Sequence, residues 1–219
     1  MNAQTEHFFI AGAVGQLQCA VDMPDSALYP VPLGIALVAH PHPLYGGSMD
    51  NKVAQTLARS FNAVGFVSAR MNFRGVGQSQ GEHDAGIGET DDMARLLDVM
   101  RARFPDLPLV LGGFSFGTFV LSRLQQQLEA QATPAKRLVL VGAAAGKWAM
   151  PTIPVNSIVI HGELDETIPL QAVFDWLRPQ EIPVVVIPGA DHFFHRRLGH
   201  IKNCILNQWN IENWGHALS

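Results

Sequence analysis

Ser115 stands between two glycines in Gly113-Phe114-Ser115-Phe116-Gly117, just after the apolar run Leu107-Pro108-Leu109-Val110-Leu111 and ahead of a helical pattern. A serine at a sharp strand-to-helix turn takes a strained, positive-φ conformation. Side chains two residues away on either side would collide, so glycine suits both places. The turn lifts the hydroxyl clear of the backbone, where a base can reach it. A serine alcohol is a weak nucleophile alone and needs a base, which in turn needs a group to orient it.

Both partners occur downstream at comparable junctions. Asp165 lies in Gly162-Glu163-Leu164-Asp165-Glu166-Thr167-Ile168-Pro169, on the loop leaving a strand that ends at His161. His192 lies in Pro188-Gly189-Ala190-Asp191-His192-Phe193-Phe194, between the last strand and the last helix. The order Ser115, Asp165, His192 is the one expected of a serine nucleophile elbow. His192 would take the proton of Ser115 as it attacks an acyl carbonyl and return it to the leaving group. Asp165 would hold the imidazole in the right tautomer. Glu163 and Glu166 are rival acids, better explained as solvated loop residues. His195 is the rival base, expected inside the last helix as a surface or packing histidine.

The tetrahedral intermediate of acyl transfer needs two backbone donors. The amide of Phe116, directly after the nucleophile, is one. The other is expected from His40-Pro41-His42-Pro43-Leu44-Tyr45-Gly46-Gly47-Ser48, the loop after another strand end. Proline has no N–H, which excludes Pro41 and Pro43 and makes Leu44 the first choice and Tyr45 the next. Asn72-Phe73-Arg74-Gly75-Val76-Gly77-Gln78-Ser79 lacks the lysine and spacing of a phosphate loop. It reads as a shaped loop near the site, with Arg74 bracing its neighbours. A metal-dependent alternative would use His40 and His42, joined by His161 or His192, but it leaves the glycine-flanked serine unexplained.

Those residues need a scaffold that brings strand ends to one rim. Residues 7–21 form a hairpin pattern with Gly12 and Gly15. Short continuous apolar runs at 33–39, 66–69, 107–111, 137–141, 157–160 and 183–187 suit strands covered on both faces. Between them lie helical patterns at 50–63 (capped by Ser48 or Asp50), 89–103, after Ser115, at 169–177, and from Leu198 through Ile201, Ile205 and Trp209. Alternating strands and helices predict a mostly parallel sheet with helices on both faces, in a single domain over residues 1–219. Ligands bind such sheets at the carboxyl ends of the strands. Only about a dozen residues separate the strands at 137–141 and 157–160, which leaves no room for a cap domain, so an open face is expected. Leu44, Tyr45, Phe114, Phe116, Phe193 and Phe194 would line it and suit short or flat apolar acyl groups.

Composition narrows the partners. Of 219 residues, 47% are hydrophobic and 16% charged, as in a globular protein, and the net charge of −4 without a basic run argues against nucleic acid. The first residues show no positive region leading into an apolar stretch, and no run is long enough to cross a bilayer, so a cytoplasmic location is expected. Cys19 and Cys204 lack metal or redox spacing and read as buried thiols.

Taken together, these segments resemble the α/β-hydrolase superfamily over nearly the whole chain. The resemblance rests on His40-Pro-His-Pro-Leu-Tyr-Gly-Gly, Asn72-Phe-Arg-Gly-Val-Gly, the pentapeptide around Ser115, His161-Gly-Glu-Leu-Asp165 and Gly-Ala-Asp-His192. More narrowly, the chain is similar to small, lidless bacterial serine hydrolases related to dienelactone hydrolases and carboxylesterases. It departs from the former in having serine where they have a cysteine nucleophile. It departs from many relatives in reading His42-Pro43-Leu44 where they have His-Gly-x. The resemblance implies hydrolysis of small carboxylic esters through an acyl-enzyme, without metal or other cofactor. Thioesters and lactones are alternative substrates for the same residues, and a binding protein on the same fold is a third reading.

Overall fold

Residue alternation along each strand explains why the predicted strands read as unbroken apolar runs. In the computed structural model, which describes residues 5–209, Ile35, Leu37 and Ala39 face one hydrophobic core while Ala36 and Val38 face another. A strand between two cores needs an apolar side chain at every position. The eight strands are β1 (Glu6–Gly12), β2 (Gly15–Asp22), β3 (Gly34–Ala39), β4 (Phe66–Met71), β5 (Leu109–Phe114), β6 (Arg137–Val141), β7 (Ile158–Gly162) and β8 (Val184–Ile187). They form one sheet in the order β1-β2-β4-β3-β5-β6-β7-β8. The β1–β2 hairpin is antiparallel and joins β4 antiparallel; every other pairing is parallel.

The α-helices are α1 (Lys52–Ala63), α2 (Ile87–Arg103), α3 (Phe116–Ala130), α4 (Leu170–Leu177) and α5 (Leu198–Gln208). α2, α3 and α4 cover one face through Met93, Leu96, Leu97, Val120, Leu124 and Val173. α1 and α5 cover the other through Val53, Leu57, Phe61, Ile201 and Ile205. Each such side chain contributes roughly 1.5–3 kcal/mol by leaving water. No helix among the described residues is long and apolar enough to cross a membrane.

Several local expectations change. α1 is capped by Asn51, whose Oδ1 accepts from the amides of Val53 (2.9 Å) and Ala54 (3.4 Å). Among the described residues neither Ser48 nor Asp50 bonds a first-turn amide with its side chain, and Asp50 Oδ1 instead accepts from the Gln55 side chain at 3.4 Å. α5 begins only at Leu198, so His195 lies outside it, on a turn where Phe194 (φ 52°) and Arg196 (φ 60°) are left-handed and no helix can pass. Cys19 is buried but Cys204 only partly, and both are free thiols. Arg74 does brace its neighbours. Its Nε and Nη2 hold Asp92 of α2 at 2.7 and 2.9 Å, and Nη2 also donates to Gly88 O at 2.9 Å. That buried pair ties the loop after β4 to the start of α2.

The consequence for the site is one shared rim. β3, β4, β5, β6, β7 and β8 all run in the same direction, so the loops after Ala39, Met71, Phe114, Val141, Gly162 and Ile187 emerge on the same edge.

Candidate active site

Ser115 occupies the turn from β5 into α3 with φ 53° and ψ −122°, the strained geometry expected of it. Its amide donates to Val141 O (3.0 Å) and its carbonyl accepts from Thr118 N (2.8 Å), so backbone bonds on both sides hold the turn. The glycine requirement is steric. A Cβ on Gly117 would stand 2.5 Å from Ala39 O, and one on Gly113 would stand 2.8 Å from the Gly117 carbonyl carbon. Gly117→Ala is therefore expected to cost about 1–3 kcal/mol of stability, measured by urea unfolding, as an overpacked site does.

The three residues picked from separate loops meet. Ser115 Oγ lies 2.9 Å from His192 Nε2, and His192 Nδ1 lies 2.6 Å from Asp165 Oδ2. All three are buried. Asp165 Oδ1 accepts from the amides of Thr167 (2.9 Å) and Ile168 (2.7 Å), which aims Oδ2 at the imidazole. An ionised Asp165 accepts the Nδ1–H of His192, and that tautomer leaves the Nε2 lone pair to accept the Ser115 hydroxyl proton. The ring of Phe114 packs against His192 at a 5.1 Å centroid distance, and Phe193 flanks it at 5.2 Å.

The rivals have other work. Glu163 accepts the Gly189 amide at 2.7 Å, tying the loop after β7 to the loop that carries His192. His195 is exposed and pairs with Asp191 through Nδ1 at 2.5 Å. His161, buried behind Asp165, has Nε2 2.9 Å from Ile168 O and 3.5 Å from Asp165 Oδ2. Burial holds its pKa down, so the neutral ring donates Nε2–H to Ile168 O and supports the loop carrying the acid.

His40 is committed twice. Its Nε2 accepts from the Phe73 amide (2.9 Å), so Nδ1 carries the proton and donates to Pro41 O (2.6 Å). No nitrogen is left for a metal. Burial pushes its pKa down to about 3 from an ordinary 6.5. A histidine whose folded pKa is depressed contributes stability above its unfolded pKa, and that contribution is lost as pH falls from 6.5 toward about 3. Between pH 6.5 and 5 the cost for this one proton is about 2 kcal/mol. Nitrogen-15 NMR should therefore show His40 still neutral and Nδ1-protonated at pH 5.

The oxyanion expectation needs a correction. The Leu44 amide is taken by His42 Nδ1 at 3.2 Å, and Leu44 itself stands out in solvent. Tyr45, Gly46 and Gly47 donate their amides to His42 O, Pro43 O and His42 O at 3.1–3.2 Å, closing a 3-10 turn over Pro43–Tyr45. In contrast, the amides of His42 and Phe116 donate to no group among the described residues. Their rings pack together at 4.8 Å, so the two stretches of backbone share one wall. Gly47 makes this turn possible, because a Cβ there would meet Pro41 O at 2.1 Å.

A cleft of about 570 Å³ opens onto Ser115 and His192, lined by His42, Tyr45, Phe116, Trp148, Phe193 and Lys147 among others. Of the expected lining residues, Tyr45, Phe116 and Phe193 are there, and Leu44 is not. Nor is Phe114. It is fully buried in the core shared with α1 and α5, because it follows Val110 and Gly112 on the same face of β5. Phe194 is likewise core. Sequence reasoning missed Trp148 and Lys147, which lie in the loop between β6 and β7, and Asn51 and Thr167 on the same wall. The one signal for the first two was their position, at the strand end where a cap would otherwise be inserted. Trp148 stacks on Phe119 at 5.0 Å and 24°, and sits 5.0 Å from Phe116. Behind this wall His83 packs on His42 at 4.7 Å and is held by the buried Glu89 at 2.7 Å.

Comparison with known proteins gives the family and the fold. Residues 44–173 match the family described as serine aminopeptidase, S33. A protein of Rickettsia prowazekii is 31% identical over 183 residues, covering 78% of this chain and 76% of its own. The crystal structure of an α/β serine hydrolase without a lid, from Xanthomonas campestris, superposes with a TM-score of 0.86 at 35% identity, covering 98% of this chain and 96% of its own. An α/β serine hydrolase homologue from Coxiella burnetii gives 0.80 at 31% identity, over 96% and 100%.

Proposed function

Because the chain belongs to the α/β-hydrolase superfamily, within the family described as serine aminopeptidase, S33, we propose that it is a serine hydrolase cleaving carboxylic esters of small or planar acyl groups. The observation that carries the reading is the chain of contacts Ser115–His192–Asp165 at 2.9 and 2.6 Å on the wall of an open cleft. Ser115 Oγ attacks the acyl carbonyl while His192 Nε2 takes its proton. The amides of Phe116 and His42 receive the oxyanion, each contributing about 3 kcal/mol in the transition state. His192 passes the proton to the departing alkoxide, which leaves as the alcohol. Water then enters, gives a proton to His192 and attacks the acyl-enzyme. Collapse of the second tetrahedral intermediate returns the proton to Ser115 and frees the acid.

The choice of ester over peptide rests on charge. A pocket for a peptide's N-terminal ammonium is best served by a carboxylate, and among the described residues the cleft wall carries no Asp or Glu. Its aromatic lining and the absence of a cap between β6 and β7 favour short or flat acyl groups.

The test is to treat the protein with a fluorophosphonate, with and without EDTA, and locate the adduct by peptide mass spectrometry. Turnover of p-nitrophenyl acetate, p-nitrophenyl laurate and alanine p-nitroanilide is measured alongside. The expected result is a chelator-insensitive adduct on Ser115 and a preference for the acetate. An adduct elsewhere, or faster cleavage of the anilide, would overturn the reading.

A further inference from the structure

Lys147 is the only Lys, Arg, Asp or Glu among the described residues that line the cleft. That is unexpected in a chain whose acids outnumber its bases, with a net charge of −4. Its ammonium forms no ion pair among the described residues, although the loop that carries it is built with care. Gly146 before it takes φ 75°, the Lys147 amide donates to Ala144 O at 3.2 Å, and Trp148 after it stacks on Phe119. Asp175, which lines the neighbouring groove with Gly146 and Trp148, is already engaged by Arg178 (3.0 Å) and Gln171 (2.7 Å).

Two further features give the cleft the same sign. The amino end of α3 begins beside Ser115, and the amino end of α1 begins at Asn51, which lines the cleft. Neither helix has an acidic residue in its first turn. Asp50, just before α1, lies 3.9 Å from Arg70 and outside the cleft lining. Helix amino ends and an unpaired ammonium both favour an anion, while His42, Tyr45, Phe116, Trp148 and Phe193 offer ring faces to a planar group.

We propose that the cleft takes esters of planar aromatic acids that carry a second, free carboxylate, with Lys147 as the residue that selects the charge. The inference rests on the ester-hydrolase reading and names its substrate class. The chemistry at the scissile bond is that already described; the second carboxylate stays ionised throughout and exchanges no atom.

The experiment compares kcat/KM for monomethyl terephthalate and methyl benzoate, which share a benzoate ester and differ by one carboxylate. Product acids are read by liquid chromatography for the natural protein, Lys147→Gln and Lys147→Glu. The ratio between the two esters is insensitive to the fraction of folded enzyme. Comparing that ratio across variants also removes their intrinsic difference in reactivity. The natural protein should favour the charged ester. Lys147→Gln should lower the ratio about three- to fivefold, as expected for a solvent-accessible charge pair, and Lys147→Glu about tenfold. Added NaCl should lower the ratio more in the natural protein than in Lys147→Gln, where only the helix amino ends remain to be screened. A preference for the neutral ester, or a ratio unmoved in both variants, would overturn the charge selection while p-nitrophenyl acetate turnover still stood on Ser115. Turnover of p-nitrophenyl acetate that survives in Ser115→Ala would bring down the hydrolase reading, and this inference with it.

Discussion

Replacing Ser115 by alanine is expected to lower kcat/KM for p-nitrophenyl acetate by a factor on the order of 10⁴ or more and to abolish fluorophosphonate labelling. The size follows from the division of labour. Without Oγ there is no acyl-enzyme, and what survives is the cleft's ability to bind an ester and polarise its carbonyl through the amides of Phe116 and His42. The fold should tolerate the change. The bonds that hold the turn use the Ser115 amide to Val141 and its carbonyl to Thr118, and alanine keeps both. Among the described residues the only side-chain bond lost is the one to His192 Nε2, which faces an open cleft where water can replace it. Thermal unfolding should therefore shift little, because alanine carries the same Cβ at the φ of 53° and keeps the same strain. Residual turnover within tenfold of the natural protein, with the circular dichroism spectrum unchanged, would mean that another residue attacks the ester.

How much of this was legible beforehand differs by residue, and the differences have physical causes. Ser115, Asp165 and His192 could be read from sequence because each lies where an apolar run stops, and a parallel sheet sends all such stops to one edge. The strands themselves were legible because two cores demand two apolar faces. Phe114 was misplaced although the period of two contains the answer: Val110, Gly112 and Phe114 share a face of β5, and that face packs on α1. The last helix begins later than expected because Phe194 and Arg196 are left-handed without being glycine, and no residue type announces that. The Leu44 amide was the reasonable choice from the positions of the prolines. What removes it is a ring nitrogen two residues earlier, a contact that depends on how the 3-10 turn closes. The pairing of His83 with Glu89 is local, because Glu89 stands in the first turn of α2 and also accepts the amides of Asp84 and Gly86; what was invisible is its place behind His42, which depends on how this segment packs on the loop after β3.

Asp165→Asn should retain the fold and still lose about 10⁴ in kcat/KM, because it reverses the tautomer of His192. Oδ1 of an asparagine can go on accepting from the Thr167 and Ile168 amides at 2.9 and 2.7 Å, which fixes the flip of the side chain. Its NH₂ then stands where Oδ2 now lies, 2.6 Å from His192 Nδ1. An NH₂ donates and cannot accept, so the neutral imidazole must present its lone pair at Nδ1 and carry the proton on Nε2. That proton points at Ser115 Oγ, 2.9 Å away, and the ring can no longer remove the hydroxyl proton. His161 does not rescue the charge. Its Nε2 hydrogen is given to Ile168 O, and its own burial keeps the ring neutral. Activity should recover in part at alkaline pH, where hydroxide can take over proton removal from Ser115. A pH–rate profile that rises with pH in Asp165→Asn where the natural protein's is flat is the signature to seek. A variant that keeps both the natural rate and the natural profile would show that Asp165 does not orient the base, and Glu163 or Glu166 would have to be examined in its place.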